Sequence, residues 1–344
     1  MPFAKAMVTL TALVGFIVLA GMGAVPQMAW ARPTAVPGSG VPYTHNRSYA
    51  TIVYRDPSSC RMGDEYCTTP EHYACTAAIL GEGLRLLDPE SSRTAIVTGL
   101  GSDAREILAS SWTLFEVPPW WSSSVAPSGT EPRHGASAFG RRHGASAFGR
   151  KASLWRLPFE LTLFIDADQL VLPPTGSSSR TQSKKRLDAL WRQPLASDGI
   201  SALSVFGPPR HVGKCFNGGT MLLRPDPTTA SKLAAAALLG ADADATRPIR
   251  CLGRDQVIMN SVLGARWTRI NESDWSICKP HLLSQGEGVR IASAVEAHAD
   301  TGCDAVHIYL SMGRSGINRH GLWDAALERL SPAVRSKCAG ILRK

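Results

Sequence analysis

The stretch LFIDADQLVL, residues 163–172, places two aspartates inside an apolar run. Burying carboxylates there is costly unless a metal ion, a salt bridge or exposure at a strand end offsets their charge. Side chains two residues apart in a strand share one side, so Asp166 and Asp168 are expected to project together where the strand LTLFI ends. Ligands of open α/β sheets bind at the carboxyl ends of strands, and two carboxylates there suit Mg²⁺ or Mn²⁺. Solvated or helix-capping aspartates are the alternative, because D-x-D also arises by chance.

Strand-like and helix-like segments alternate around this stretch. Residues 49–55 and 94–99 are β-branched runs that predict strands, and helical patterns follow them at 71–88 and 103–111. This alternation predicts parallel βαβ units and an α/β fold. The consecutive apolar residues of 160–166 indicate a strand buried on both faces.

Other predicted elements lie on both sides of a segment that lacks useful periodicity. We expect a helix at 151–157, a polar basic loop at 175–186, strands at 200–206, 218–225 and 304–310, and helices at 228–240, 254–264 and 321–330. The aperiodic segment, 118–150, contains the nonapeptide RHGASAFGR twice, at 133–141 and 142–150. A local duplication within a surface loop explains the repeat, and a functional basic lid is the alternative.

The N-terminus predicts entry into the secretory pathway. Lys5 precedes an uncharged run at 7–25, which has about the length of one membrane span, and AWA at 29–31 has the small–x–small pattern of a cleavage site. Residues 1–31 are therefore either a cleaved signal peptide or an uncleaved anchor. Residues 32–48 are rich in Pro, Gly and Ser and are assigned to a linker or stem.

Cysteine content and glycosylation sequons fit the same compartment. The chain has eight cysteines, an even count that permits disulfides in an oxidising lumen, and no CxxC pair that suggests zinc. Sequons begin at Asn46 and Asn271. We therefore expect the Golgi or ER lumen, with the protein either secreted or a single-pass type II membrane protein. The net charge of +9 favours a site for anions; no nucleic-acid motif is present, and no nucleic-acid partner is expected.

Four blocks, in order, resemble the glycogenin-like glycosyltransferase family 8. KASLWRLPFELTLFIDADQLVL (151–172) is similar to the region around the family's D-x-D motif, CFNGGTMLLRP (215–225) to its Phe-Asn-Ser/Gly-Gly strand, GRDQVIMN (253–260) to its Asp-Gln helix start, and VHIYLSMGR (306–314) to its closing Val-His segment. The helix pattern YACTAAILGEGLRLL also resembles the opening helix of that family. The resemblance extends over about residues 49–315.

The resemblance implies a GT-A, Rossmann-like fold with a mostly parallel sheet flanked by helices. A single catalytic domain would span 49–330, with a loop insertion at 118–150 and a C-terminal tail at 331–344. The implied activity is Mn²⁺-dependent (or Mg²⁺-dependent) transfer of a hexose or related sugar from a UDP-sugar to a glycan or protein acceptor, with retention at the anomeric carbon. The implied metal ligands are Asp166, Asp168 and His307; the implied donor-binding residues are Tyr73, Lys151, Asn217, Gly218, Gly219 and Arg314; and Asp255 and Gln256 would face the sugar.

Several of these residues have ordinary structural alternatives. Tyr73 and His307 could be core residues, Asp255 a helix N-cap, and the two glycines a β-bulge. Arg314 stands near the place where the family carries the lysine of Gly-x-x-Lys-Pro-Trp, and the two cations differ in geometry. Glycogenin itself is cytosolic, so the N-terminal segment argues against a glycogen primer. A nucleotidyltransferase of similar fold and an inactive sugar-nucleotide-binding protein remain alternative functions.

Overall fold

The structure is a computed structural model. It describes residues 46–54, 69–117, 150–171, 177–196, 199–204, 215–239, 254–264, 266–271, 275, 277–278, 305–307 and 327–342. These ranges belong to one compact unit that extends from 43 to 344. The N-terminal segment, most of the stem, the insertion at 118–149, Arg314 and most of the predicted helix at 321–330 lie outside the described residues.

Ten strands and six α-helices are described. The strands are β1 (Arg47–Tyr54), β2 (Ser92–Thr98), β3 (Thr113–Glu116), β4 (Leu161–Ile165), β5 (Gln169–Val171), β6 (Ile200–Ser204), β7 (Phe216–Leu223), β8 (Thr268–Arg269), β9 (Ile277–Cys278) and β10 (Ala305–His307). The helices are α1 (Pro70–Leu87), α2 (Ser102–Ala109), α3 (Ser177–Trp191), α4 (Pro227–Leu239), α5 (Arg254–Leu263) and α6 (Pro332–Leu342), and a short 3-10 helix spans Ala152–Arg156.

Seven strands form the central sheet in the order β3-β2-β1-β4-β7-β6-β8. Neighbouring strands are parallel except at β7, which runs antiparallel to both β4 and β6. A second sheet has the order β5-β10-β9, with β10 antiparallel to β5 and parallel to β9. The predicted fold class, a mostly parallel α/β sheet flanked by helices, is confirmed.

The central strand β4 is buried on both faces, as its apolar sequence predicts. Leu163 and Ile165 pack into the hydrophobic cluster that includes residues of α1, α2, α3 and α6. Phe164 faces the opposite cluster, where residues of the 3-10 helix, α4 and α5 pack. Because successive side chains of a strand alternate between faces, one short apolar run supplies both cores. This burial fixes the position of the chain where β4 ends.

Residues 175–186 are not the loop that their polar sequence predicts. Most of this segment belongs to α3, which begins at Ser177 and continues to Trp191. Its buried contacts are concentrated at its end, where Leu187 and Leu190 enter the first hydrophobic cluster. The polar first half shows no apolar stripe, so periodicity could not identify it as helical.

Smaller differences also have a physical reason. The helix predicted at 151–157 is a 3-10 helix over 152–156, which ends before Pro158. Strands β3, β5, β8 and β9 were not predicted, because runs of two to four residues carry little periodicity. The first strand begins at Arg47, so the end of the predicted stem belongs to β1.

A disulfide joins the C-terminal segment to the first helix. Cys75 in α1 is bonded to Cys338 in α6, and both side chains are fully buried. Cys215 is also disulfide-bonded. The residues set apart as a C-terminal tail therefore include a helix that is covalently attached to the core. Among the helices in the described ranges, none has the length and apolar character needed to cross a membrane.

Candidate functional site

The two aspartates lie in a tight turn directly after β4. The turn is closed by the backbone N–H of Gln169, which donates to the carbonyl of Asp166 at 2.9 Å. Asp166 and Asp168 are partly exposed, and Ala167 between them is only 4% exposed. Both carboxylates therefore stand at the end of the strand as expected. Their relative direction is set by the turn, because neither residue belongs to the strand.

Lys151 connects this turn to β7. Its ammonium nitrogen lies 3.2 Å from Oδ1 and 3.3 Å from Oδ2 of Asp166 and donates to the carbonyl of Gly218 at 2.9 Å. The lysine side chain is 12% exposed and the aspartate side chain 30%. Limited exposure reduces solvent screening of the pair, so each charge strongly affects the other. The 3-10 segment, the aspartate turn and the distant start of β7 thus meet at one edge of the sheet.

The Asn217–Gly218–Gly219 segment forms an irregularity in β7. Ala202 of β6 pairs with Met221, but the next residue, Leu203, pairs with Asn217, so the intervening residues fall outside that ladder. Oδ1 of Asn217 accepts the N–H of Gly219 at 2.7 Å. The carbonyl of Gly219 accepts the N–H of Asp166 at 2.8 Å. The bulge alternative for these glycines is therefore realised, and the bulge is bonded directly to the aspartate turn.

Protein atoms occupy the space next to each glycine. A Cβ on Gly218 would stand 2.3 Å from Cε of Met259. A Cβ on Gly219 would stand 2.5 Å from Nε2 of Gln169, 3.0 Å from Oδ1 of Asn217 and 3.3 Å from Oδ2 of Asp166. Glycine is needed here because side chains of the protein pack against the backbone. The close approach of a ligand remains a prediction.

Helix α5 is anchored to the start of β7. The carboxamide of Asn260 accepts the N–H of Phe216 at 3.0 Å and donates to the carbonyls of Phe216 and Gln256 at 3.2 and 2.7 Å. Oε1 of Gln256 is buried and, within the described part of the chain, has no hydrogen-bond partner. The helix begins at Arg254, so the backbone of Asp255 lies in its first turn, inside the helix and beyond the N-cap position.

The strand that contains His307 lies beside the aspartate turn. In the antiparallel pair of β5 and β10, His307 is opposite Gln169, the residue that follows Asp168. The backbone of His307 is thus close to the turn despite a long separation in sequence. Tyr73 lies in the first turn of α1, partly buried against the first hydrophobic cluster.

A buried arginine precedes Lys151. Arg150 is 1% exposed, and its guanidinium carbon lies 3.6 Å from the ring centroid of Tyr54, the last residue of β1. This is the geometry of a cation–π contact. Strand β1 adjoins β4, so a second cation lies near the same edge of the sheet. Arg150 is the last residue of the second RHGASAFGR copy, and nothing in that polar repeat predicts a buried arginine.

Sequence reasoning also missed three side chains that shape the bulge: Gln169, Thr220 and Met259. Thr220 donates its hydroxyl to Oε1 of Gln169 at 2.7 Å, and both residues are buried. The position of Gln169 immediately after D-A-D was the available signal. No sequence signal identified Met259, because an apolar residue in a helix is ordinarily a core residue.

The donor set at the turn fits a hard divalent cation. Two partly exposed carboxylates at a strand end supply the oxygen ligands that Mg²⁺ and Mn²⁺ prefer. No group of three histidine, cysteine, aspartate or glutamate side chains suited to one ion is found among those described. The side chains of Asp166 and Asp168 are among those described, whereas for Asp255 and His307 only the backbone is described.

Solved glycosyltransferases resemble this chain in fold. No protein-family model and no curated protein matches the sequence. The galactosyltransferase LgtC, in complex with donor and acceptor sugar analogs, is 12% identical with a TM-score of 0.48, over 84% of this chain and 99% of that one. GlyE of Streptococcus pneumoniae TIGR4 is 12% identical with a TM-score of 0.42, over 86% of this chain and 64% of that one. Mouse xyloside xylosyltransferase 1 is 11% identical with a TM-score of 0.40, over 76% of this chain and 97% of that one.

Proposed function

We propose that the protein is a retaining glycosyltransferase that moves a hexose or related sugar from a UDP-sugar to a glycan or protein acceptor. One observation supports this most directly. Lys151, Asp166 and the Gly218–Gly219 bulge, which belong to two separate blocks of family resemblance, are in contact at one edge of the sheet. Motifs that matched the family only by chance would have no reason to lie in contact in the folded chain.

Asp166, Asp168 and His307 are the proposed ligands of Mn²⁺ or Mg²⁺. When bound, the ion would supply a Lewis acid that stabilises charge on the leaving diphosphate. Lys151 is a fixed cation beside the same carboxylate, because its ammonium is held between Asp166 and Gly218. Its role in the proposal is to bind the donor and orient it.

The bulge and α5 are proposed to hold the sugar. Oδ1 of Asn217 already accepts the N–H of Gly219, which leaves its amide NH₂ group for a sugar hydroxyl. Oε1 of Gln256 is a buried acceptor without a partner in the described chain, so it suits a hydroxyl donor or the positive charge that develops on the sugar ring. Asp255 is proposed to act beside it. Tyr73 would lie near the uracil and Arg314 near the phosphates.

Hydrolysis of a panel of UDP-sugars, with and without Mn²⁺, tests the activity. Asp166→Asn and Asp168→Asn should each abolish metal-dependent turnover while the unfolding transition changes little. Asp188→Asn is a matched control, because Asp188 also pairs with a lysine, Lys184, at 2.7 Å but lies on α3. Full turnover in either site variant contradicts the proposed role of that aspartate.

Two outcomes would replace the proposal. Incorporation of labelled pyrophosphate into a nucleoside triphosphate, without sugar transfer, would indicate a nucleotidyltransferase. Tight binding of a UDP-sugar without turnover against any acceptor or water would indicate a binding protein. Both assays use the same wild-type preparation, so they separate the three functions directly.

We also propose that the enzyme works in the secretory lumen, as a secreted or membrane-anchored protein. The buried Cys75–Cys338 disulfide supports this, since disulfides persist in oxidising compartments. The sequon residues Asn46 and Asn271 are both exposed. Endoglycosidase treatment of the cell-expressed protein should therefore increase its gel mobility. A mature N-terminus at Arg32 would identify a cleaved signal, and an intact Met1 an anchor.

A further inference from the structure

Gln169 lies between the aspartate turn and the glycine bulge and contacts both. Its backbone N–H donates to the carbonyl of Asp166 at 2.9 Å and closes the turn. Its side chain, in a residue only 1% exposed, accepts the hydroxyl of Thr220 at 2.7 Å. Its Nε2 fills the space beside Gly219, 2.5 Å from the point where a Cβ would stand.

The orientation of the Gln169 carboxamide follows from its neighbours. The point beside Gly219 is also 3.0 Å from Oδ1 of Asn217 and 3.3 Å from Oδ2 of Asp166. Oδ1 of Asn217 accepts the N–H of Gly219, so this atom is identified as an acceptor. The carbonyl of Gln169 therefore faces the hydroxyl of Thr220, and its NH₂ group lies on the side of Gly219.

We infer that Gln169 is a positioning residue that holds the glycine bulge against the aspartate turn. The inference rests on the proposed function in assigning donor binding to these two segments. A buried carboxamide costs free energy unless its polar groups are paired, and a leucine or methionine would fill the space without that cost. The carboxamide accepts the hydroxyl of Thr220 in β7 while the backbone N–H of the same residue closes the aspartate turn, and an apolar side chain would leave that hydroxyl unpaired.

This linkage bears on the geometry of the reaction. The bulge carries Asn217, proposed to bind the sugar, and the turn carries Asp166, proposed to hold the cation beside the diphosphate. The bond that breaks joins these two parts of the donor. A shift of the bulge relative to the turn would therefore misalign sugar and leaving group, and small misplacements of this kind lower the rate of the chemical step.

Two substitutions at the two ends of one hydrogen bond test the inference, with one matched control. Gln169→Met keeps an unbranched side chain but removes both polar groups, and Thr220→Val removes the hydroxyl. Thr162→Val is the control: Thr162 is also fully buried in the central sheet, but its hydroxyl has no hydrogen-bond partner within the described residues.

Amide hydrogen exchange gives a readout that needs no ligand. The amide of Asp166 bonds the turn to the bulge, and the amide of Gly219 donates to Asn217 within the bulge. Both should exchange about threefold to tenfold faster in Gln169→Met and in Thr220→Val. The amide of Ile96 in β2, remote from the bond, should be unchanged, as should all three amides in Thr162→Val. Unchanged exchange at Asp166 and Gly219 in either site variant overturns the inference. If Gln169→Met does not fold, Thr220→Val decides it.

Donor turnover provides the second readout. We expect kcat to fall about threefold to tenfold in both site variants, with less than a twofold change in the KM for the donor and no change in Thr162→Val. The double variant should lose no more than Gln169→Met alone, because both changes remove the same bond. An unchanged kcat overturns the positioning role even where exchange is faster. Absence of turnover in the wild-type enzyme refutes the proposed function instead, and exchange then decides whether Gln169 joins the two segments.

Discussion

Replacing Gly81 by alanine should destabilise the protein, although the same change in most helix interiors is stabilising. Gly81 lies within α1, where alanine is favoured over glycine by about 1 kcal/mol on helix propensity. Here a Cβ would stand 2.4 Å from Nε1 and 2.8 Å from Cε2 of Trp112, and 2.8 Å from Cβ of Ser111. The indole is buried and cannot move aside easily, because its Nε1 donates to the carbonyl of Ala77 at 2.7 Å.

The unfavourable contributions exceed the gain in propensity. Overpacking of a buried site costs roughly 1–3 kcal/mol, and loss of the indole hydrogen bond leaves a buried donor unpaired at about 1–3 kcal/mol. Subtracting about 1 kcal/mol for propensity leaves a net loss of roughly 3 kcal/mol in the free energy of unfolding. Urea denaturation followed by Trp fluorescence and by circular dichroism would measure it.

Gly340 supplies the matched control. It lies in α6, and among the described residues no heavy atom outside the helix's own backbone would stand within 4 Å of a Cβ there, so Gly340→Ala should stabilise by up to about 1 kcal/mol. Opposite signs for the two substitutions are the expected result. If Gly81→Ala is as stable as the wild-type protein, Trp112 does not pack against this face of α1.

Three further predictions concern a cap, a disulfide and an ion pair. Asp226→Ala should lower the free energy of unfolding by about 1 kcal/mol at neutral pH, because Asp226 caps α4. Hydrogen bonds from Thr229 lower the pKa of the Asp226 carboxyl below the ordinary value of 3.8, so the stabilisation is present above about pH 4 and is lost as the pH falls through the folded pKa. Acid denaturation of Asp226→Asn should show no such loss. The double variant Cys75→Ala, Cys338→Ala should lower the free energy of unfolding by roughly 2–5 kcal/mol in urea, and native protein should resist mild reductant because both sulfurs are buried. Lys151→Met should strengthen Mn²⁺ binding in calorimetry by a few-fold, since it removes a competing cation from the carboxylate, while lowering donor turnover; weaker Mn²⁺ binding would contradict the competition.

The fold could be predicted from the sequence where consecutive residues are all buried and are therefore apolar. The run LTLFI identifies β4 because both of its faces are covered, so nearly every position is apolar. Helix α3 could not be identified in the same way, since its buried Leu187 and Leu190 lie at the end of a polar, basic run. Short strands such as β5 depend on a partner far away in sequence, and no local pattern reveals that partner.

The candidate site likewise has features that local sequence could predict and features that it could not. The residue types of Asp166 and Asp168 pointed to an oxygen-rich site, the family resemblance added Asn217, and the structure brings the three to one edge of the sheet. The reason for glycine at 218 and 219 was not readable, because the atoms that fill those spaces belong to Met259 and Gln169. Contacts between residues some 40 or more positions apart are set by topology, which the local sequence does not encode.

His307 is the residue for which topology adds most to the sequence. Nothing near it in the chain relates it to the aspartates, yet β10 pairs with β5 so that His307 is opposite Gln169, next to Asp168. Opposite residues of antiparallel strands have Cα atoms about 4.5–5.5 Å apart. Ligands about 2.1 Å from one ion are at most about 4.2 Å apart, so the backbone spacing is compatible with a shared ion. His307→Ala should therefore weaken Mn²⁺ binding to donor-free protein about tenfold or more in calorimetry, with a small change in the urea midpoint. If His307→Ala binds Mn²⁺ as the wild-type protein does, the imidazole is not a ligand, and the pairing of β5 with β10 serves only to hold the turn in place.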